Sequence, residues 1–472
     1  MNSSKKLNIV INDKLFMLTA FAVGVVIRVI PEIQFPYPIG FDTPLYLAMG
    51  KYYAHHLLPF PLFYTLLGVL YLMGMDLLYA IKILPTLVYG LLAFSVFRFA
   101  KNYLTWSNEK SLLTTINAAL SVALLRMSWD MHKLTLGIAL ILLTLSYLKE
   151  VKDEKKLLPF FILSVLTIFS HELITVTYLA ILSVLLIHGN FKDKMPFLTT
   201  LIFGLLAFLG VWYINDLNRV FRWIFDAFKS VPFSNSIPEL YFNGGLIAKL
   251  YLLSIPLCAV GFFKDKILST WLTFTFLGSI STILSPTFLL GGILPWRYIL
   301  LLTIPISMYA SNGIAKVSNG IKKISNKLKG KSVPFAFILI ILINIPTVSF
   351  LGVTNWPQIY TSESIIPSNM IQTSIPIYDI EPTINLLKRI NGNTTLLIYG
   401  DFVGWASYYS NANIITFGGT YGIKPTLKDA LSLIKDKTDV YLLYWDDESA
   451  GKLGFRVIAT DNHLKLYKYF GE

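Results

Sequence analysis

Twelve apolar runs constrain what this chain can become. They lie near residues 13–31, 57–74, 77–98, 112–127, 132–149, 157–171, 172–188, 196–214, 246–263, 267–284, 297–314 and 334–353. A helix that crosses a bilayer needs about 20 mostly apolar residues, and most of these runs are near that length. Charged residues make up only 14% of the chain, well below the roughly 25% of soluble domains. Mean hydropathy is +0.60. The sequence predicts a polytopic α-helical membrane protein. The first run follows Lys5 and Lys6 but precedes no small-residue cleavage site, so it reads as a retained span.

Charge sets the predicted orientation. The net charge of +13 is unevenly spread: residues 1–353 carry +15 and residues 354–472 carry −2. The excess lies in short loops between apolar runs, which is the positive-inside pattern and not a nucleic-acid-binding face. If the run at 57–74 does not cross, the loops at 98–111, 149–156, 189–195, 264–266 and 315–333 share the side of the N-terminus. Those loops hold most of the loop lysines. If it does cross, they all flip outward. The reading is therefore about 11 transmembrane helices plus one juxtamembrane segment at 57–74, with a multi-pass chain in the cell membrane and a cytoplasmic N-terminus. Leu58-Pro59-Phe60-Pro61 suits a segment that dips into the outer leaflet. The expected domains are a membrane domain at 1–353, with an external loop at 31–76, and an extracytoplasmic α/β domain at 354–472. In the latter, strands are expected at 394–400, 413–418 and 439–445, helices at 402–410 and 426–435, and a final hairpin turning at Asp461-Asn462. A Ser/Pro/Ile-rich connector is expected at 354–378. The one cysteine, Cys258, permits no internal disulfide and no cysteine metal cluster.

Ionisable residues beside membrane spans are expensive and mark function by default. Here they gather at one interface. Arg28 closes the first span and Lys82 sits just inside another. Arg126 and Asp130 flank the turn Arg-Met-Ser-Trp-Asp-Met-His-Lys. His171 and Glu172 make the turn Ser-His-Glu, and Arg297 follows Leu-Pro-Trp. Asn215, Asp216, Arg219 and Arg222 follow the run at 196–214, and Val220–Lys229 reads as an interfacial amphipathic helix. Singly, Arg28, Lys82 and Arg297 read equally as interfacial anchors, and His171 with Glu172 as a satisfied turn. Together they suit chemistry on a lipid headgroup at the outer leaflet. A transporter would string such charges through the membrane and show an internal repeat, and neither pattern is visible.

The first external loop carries the sharpest signal, Pro38-Ile-Gly-Phe-Asp-Thr-Pro-Leu-Tyr. Asp42 can act as a general base on an acceptor hydroxyl or amine. It can help hold Mg²⁺ or Mn²⁺, which favour oxygen ligands. It can also cap a helix that starts at Thr43-Pro44. Glu32 lies ten residues earlier.

These motifs resemble the GT-C superfamily of membrane glycosyltransferases. That superfamily includes protein O-mannosyltransferases, aminoarabinose transferases of lipid A and oligosaccharyltransferase catalytic subunits. Arg28, Gly-Phe-Asp42 and Tyr46 look like its Arg…Asp…Tyr opening. Arg126-Met-Ser-Trp-Asp130 resembles its Arg-x-x-x-Asp turn, and Ser170-His171 its His-bearing turn. Pro295-Trp-Arg297-Tyr298 is similar to its late Pro-x-Arg-Tyr, whose Arg meets the lipid phosphate. Tyr399-Gly-Asp401-Phe-Val-Gly-Trp405 resembles the oligosaccharyltransferase Trp-Trp-Asp-Tyr-Gly segment, but Tyr399 and Gly400 replace its two tryptophans. The resemblance therefore points to transfer of one sugar rather than to sequon reading.

The resemblance implies a polyprenyl (dolichyl)-phosphate sugar donor and an acceptor protein, lipid or glycan at the outer face. It implies inversion in a single displacement. Asp42 would be the base, with Asp130 and His171 as further catalytic candidates. Arg297, Lys82 and Arg28 would meet the phosphate. Tyr46, Arg126, Glu172, Asp401 and Trp405 complete the expected substrate-binding set. A metal, if used, would engage Asp42 and Asp130. Two other readings stay open: a non-catalytic scaffold of the same fold, and a lipid or solute transporter.

Overall fold

The computed structural model describes residues 3–56, 58, 60–151, 154–188, 194–207, 209–210, 236–280, 295–324, 332–345, 347–348, 373–390, 392, 394–418, 426–434, 436–437 and 439–471. The amphipathic segment expected at 220–229 and most of the connector at 354–378 lie outside the described residues. The chain divides into two compact units. One comprises 1–31, 59–63 and 85–353; the other comprises 32–58, 64–84 and 354–472. Residues 32–58 and 64–84, read from sequence as part of the membrane domain's outer loop and spans, thus fall with 354–472.

The first unit is helical because apolar surroundings leave the backbone no other way to satisfy its polar groups. Its helices are α1 (Ser3–Glu32), α4 (Leu77–Arg98), α5 (Asn108–Ala119), α6 (Val122–Asp130), α7 (His132–Leu145), α8 (Glu154–Ile168) and α9 (Glu172–His188). They continue with α10 (Met195–Ala207), α11 (Ser236–Tyr251), α12 (Ile255–Gly261), α13 (Lys266–Ser279), α14 (Pro295–Leu301), α15 (Thr303–Ile324) and α16 (Ser332–Ile343). Glu32, the last residue of α1, and residues 77–84 of α4 belong to the second unit.

Among the described residues, three helical stretches are long and apolar enough to cross a membrane: Asp13–Glu32, Leu77–Tyr103 and Arg297–Gly320. Two of the apolar runs are not straight helices. The run at 112–127 breaks by 58° between α5 and α6, and the run at 246–263 breaks by 71° between α11 and α12. Hydropathy averages over such breaks; Pro256, in the first turn of α12, is the one local mark of the second.

Small residues let these helices approach closely, as in other membrane bundles. A Cβ on Gly24 of α1 would lie 2.6 Å from the Tyr89 carbonyl oxygen of α4. Gly261 at the end of α12 faces Gly313 of α15 so tightly that a Cβ on either would collide with the other helix's backbone. Asn312 Nδ2 donates to the Gly261 carbonyl at 2.6 Å, pinning the same crossing. Gly313→Ala is expected to lower stability by about 1–3 kcal/mol through overpacking. Thermal unfolding of the purified chain in detergent measures it. Buried side-chain bonds add further pins. Tyr89 Oη donates to the Ala119 carbonyl at 2.7 Å, and Asn344 Nδ2 donates to Asn117 Oδ1 at 3.0 Å.

The second unit joins α2 (Thr43–His56) and α3 (Leu62–Leu72) to a small α/β fold. The latter holds α17 (Ile377–Leu387), β1 (Thr395–Tyr399), α18 (Val403–Tyr409), β2 (Asn413–Phe417), α19 (Leu427–Ala430), β3 (Val440–Trp445), α20 (Glu448–Lys452), β4 (Phe455–Asp461) and β5 (Leu464–Tyr469). The sheet order is β2-β1-β3-β5-β4. β1 runs parallel to β2 and β3. β5 runs antiparallel to β3 and β4. The strands fall where β-rich runs bounded by turn residues place them. Asn462 turns the final hairpin at φ 55°, a left-handed position that Asn tolerates better than most residues. Helix α17 begins at Ile377, inside the stretch read as connector. It is anchored by Asp379, which is fully buried. The Asp379 carboxylate accepts from Trp445 Nε1 at 3.0 Å and meets His463 Nε2 at 2.6 Å.

The first loop is built into this unit. Gly40 (φ 122°) makes a parallel bridge with Thr373. A Cβ on Gly404 of α18 would come 2.6 Å from Pro44 Cβ, so α2 and α18 touch closely.

Candidate active site

In the first unit the buried chemistry centres on the end of α6 and the start of α7. Arg28 is fully buried. Its guanidinium lies 4.8 Å from the Trp129 ring centroid. Its Nε donates to the Ser128 carbonyl at 3.4 Å. His132 Nδ1 lies 3.0 Å from that same carbonyl. A carbonyl only accepts, so Nδ1 carries the ring proton, which leaves Nε2 as an acceptor when the ring is neutral. The His132 ring stacks on Phe63 at 5.2 Å. One backbone oxygen thus orients both a guanidinium and an imidazole.

Arg126 and Asp130 form an ion pair one helical turn apart, and each is 5% exposed. Removing one member of a buried pair strands the other charge, at a cost of roughly 3–5 kcal/mol. Asp130→Asn is therefore expected to destabilise the chain by about that much. The apolar double variant Arg126→Met/Asp130→Leu is expected to lie near wild type in stability. Thermal melts of the three proteins side by side test this. A double variant as unstable as Asp130→Asn would contradict it.

His171 is 4% exposed and caps α9, with its Nδ1 accepting from the Leu173 N–H at 3.0 Å. The proton of a neutral ring then sits on Nε2. Glu172 Oε2 lies 3.5 Å from Nδ1. Arg297, in the first turn of α14, and Lys133 both act electrostatically on Glu172 and His171. The first unit therefore gathers His171, Glu172 and Arg297, together with Lys133.

In the second unit, Asp42 immediately precedes α2 and is half-buried. Its carbonyl accepts the Tyr46 N–H at 3.1 Å, the opening bond of the helix. Asp42 thus occupies the cap position that the sequence offered as one of its roles. Tyr46 is 3% exposed, with its ring 5.2 Å from that of Tyr64. Lys82 donates to the Phe35 carbonyl and, at 3.4 Å, to that of Pro36, so it is fastened to the first loop. Asp401 is 8% exposed, in the short turn after β1. Trp405, in α18, is 2% exposed and meets the edge of Tyr37 at 6.5 Å.

The eleven residues selected from sequence are thus divided: Arg28, Arg126, Asp130, His171, Glu172 and Arg297 in the first unit, the other five in the second. Sequence reasoning passed over Trp129, His132 and Lys133. The signal was present, since His132 lies one helical turn beyond Ser128, inside the turn already singled out.

No family model matches the sequence, and no curated protein matches it. A solved structure does. The chain is similar to the crystal structure of ArnT from Cupriavidus metallidurans in the apo state, with a TM-score of 0.54 and 11% identity, over 99% of this chain and 98% of that one. ArnT is an aminoarabinose transferase of the GT-C family. The chain has a GT-C fold. Because the likeness spans 99% of the chain, that fold takes in both units. It is the fold that the Arg…Asp…Tyr and Pro-x-Arg-Tyr motifs led one to expect. Among the described residues, no group of three or more His, Cys, Asp or Glu is placed to hold a metal ion. Asp130, a proposed ligand, is engaged by Arg126.

Proposed function

We propose that this GT-C-fold chain is a glycosyltransferase. It takes a sugar from a polyprenyl-phosphate donor and passes it to a protein, lipid or glycan acceptor at the outer face of the membrane. The observation that carries the reading is the cationic set of the first unit: Arg28 buried, and Arg297 half-buried beside His171 and Glu172. Guanidinium suits a phosphate leaving group, because its fork bonds two oxygens at once and stays charged. Lys82 adds a second-unit cation tied to the same loop that carries Asp42.

In the proposed reaction the acceptor hydroxyl or amine attacks the anomeric carbon. Asp42 takes the acceptor's proton. The bond from the anomeric carbon to the phosphate oxygen breaks, and its electron pair stays on the phosphate. Arg297, with Arg28 and Lys82, holds the departing charge. The anomeric centre inverts. The fold likeness supports the transferase class. In this reading the chain is multi-pass, with a cytoplasmic N-terminus and residues 354–472 outside.

The test is acceptor-dependent release of polyprenyl phosphate. The purified chain in proteoliposomes is given a synthetic polyprenyl-phosphate sugar and fractionated envelope acceptors. Release that rises with an acceptor fraction, matched by sugar on that acceptor, is the expected result. A well-folded chain that releases nothing with any donor or fraction is the opposite result, and it favours the scaffold reading.

A further inference from the structure

A second polar site lies away from these residues, where both broken helices open. A cavity of about 40 Å³ is lined by Asn117, Ser121, Lys249, Tyr251, Ser254 and Asn344, among others. On the same measure one water needs about 10–15 Å³, so the space admits a small polyatomic group. Ser121 lies at the α5–α6 break and Ser254 at the α11–α12 break. Irregular backbone at membrane depth is tolerated where it lines a cavity, and broken helices commonly mark ligand sites there.

The chemistry of the wall is one-sided. Asn117 and Asn344 are buried, and their amide donors are spent on fixed partners. Asn117 Nδ2 gives to the Ser307 carbonyl and Ser311 Oγ, and Asn344 Nδ2 to Asn117 Oδ1 and the Ile340 carbonyl. Tyr251 Oη is bonded to the Ile299 carbonyl and Thr303 Oγ1. These groups form a fixed polar wall. Beyond this wall, Ser121, Ser254, Ser307 and Lys249 bring further donors to the cavity. The Ser121 and Ser254 hydroxyls make no bond to their own helix ends. Lys249, within the apolar run 246–263, is exposed and lines the cavity, and a charged residue in such a run is a functional candidate. Among the described residues, Lys249 has no ion-pair or hydrogen-bond partner. Among the described residues, no carboxylate lines the cavity.

We propose that this cavity binds a phosphate oxyanion, with Lys249 supplying the charge and Ser121 and Ser254 supplying neutral donors. One ammonium and two hydroxyls match a singly charged group with several acceptor oxygens. The phosphodiester of a membrane phospholipid and free inorganic phosphate share that chemistry. The site is separate from the residues assigned to sugar transfer, and it stands whether or not that reading holds.

The test uses the purified full-length chain, delipidated in detergent, in two arms. Native mass spectrometry follows titration with phosphatidylglycerol, and ³¹P line broadening follows titration with inorganic phosphate. Wild type is expected to bind in at least one arm. Lys249→Gln is expected to weaken that binding about tenfold or more, since a charge-assisted bond is lost. Lys249→Arg is expected to recover most of it. Lysine-dependent binding in the lipid arm names the phospholipid as source, and in the phosphate arm alone names the free ion. Ser121→Ala/Ser254→Ala, which removes only two hydroxyls, is expected to weaken the same arm with an unchanged melting temperature. Binding in neither arm, or binding unaffected by both the Lys249→Gln and the double serine change, overturns the proposal.

Discussion

Asp42→Asn is expected to lower sugar transfer by roughly 10²–10⁴-fold, the usual contribution of a positioned general base, and to leave the fold intact. The choice of Asn separates the two roles open to this residue. Asp42 stands at the start of α2, where its carbonyl opens the helix. Asn caps a helix about as well as Asp, whereas Ala costs about 1 kcal/mol. A structural cap would therefore survive the change to Asn and suffer from the change to Ala. A base would fail in both. The measurement is transfer rate and melting temperature for Asp42→Asn, Asp42→Ala and wild type at equal protein. Activity lost in Asn at wild-type stability assigns the base. Activity kept in Asn, with a lowered melt in Ala, leaves Asp42 a cap.

The second large effect is expected at Arg297. Arg297→Ala removes the proposed contact with the departing phosphate and is expected to reduce kcat about 10²–10³-fold, as loss of one preorganised donor to a developing charge does elsewhere. Arg297→Lys keeps the charge but loses the two-pronged geometry, so an intermediate loss is expected. A second consequence distinguishes this from a general loss of donor affinity. The charge develops on the phosphate oxygen as the bond breaks, so kcat should fall more than KM rises. An equal rise in KM with kcat unchanged would make Arg297 a binding group only. Arg297 also acts electrostatically on Glu172 beside Lys133, so a melt accompanies the kinetics.

The sequence was most legible where one physical pattern had one structural answer. Strands β1, β2 and β3 and the Asp461-Asn462 hairpin were visible because short β-branched and aromatic runs ended in turn residues. The helical class followed from apolar length alone. The helix break at Ser121 was hidden, because hydropathy averages across a kink; the break at Ser254 had one local signal, Pro256 in the first turn of α12. Lys249 lies inside an apolar run, and its place beside the cavity shows only in the fold. The grouping of residues 32–58 and 64–84 with 354–472 was hidden too. It rests on the Gly40–Thr373 bridge and the Pro44–Gly404 approach, which join positions more than 300 apart and leave no local trace. The site was legible in outline. Charge at span ends selected Arg28, Arg126, Asp130 and Arg297. The tautomer-setting roles of the Ser128 carbonyl and the Leu173 N–H arise only in the folded chain.

The central claim is that this GT-C-fold chain moves one sugar, with Asp42 as base. The direct test compares outer-surface glycans in a strain lacking the gene with the same strain restored with wild type, Asp42→Asn or Arg297→Ala at equal membrane levels. Mass spectrometry reads protein-linked and lipid-linked glycans together. The predicted result is one sugar missing from an acceptor in the null and in Asp42→Asn, with the polyprenyl-phosphate sugar accumulating and wild type restoring both. Full restoration by Asp42→Asn, or a null strain with every glycan intact, would contradict the account.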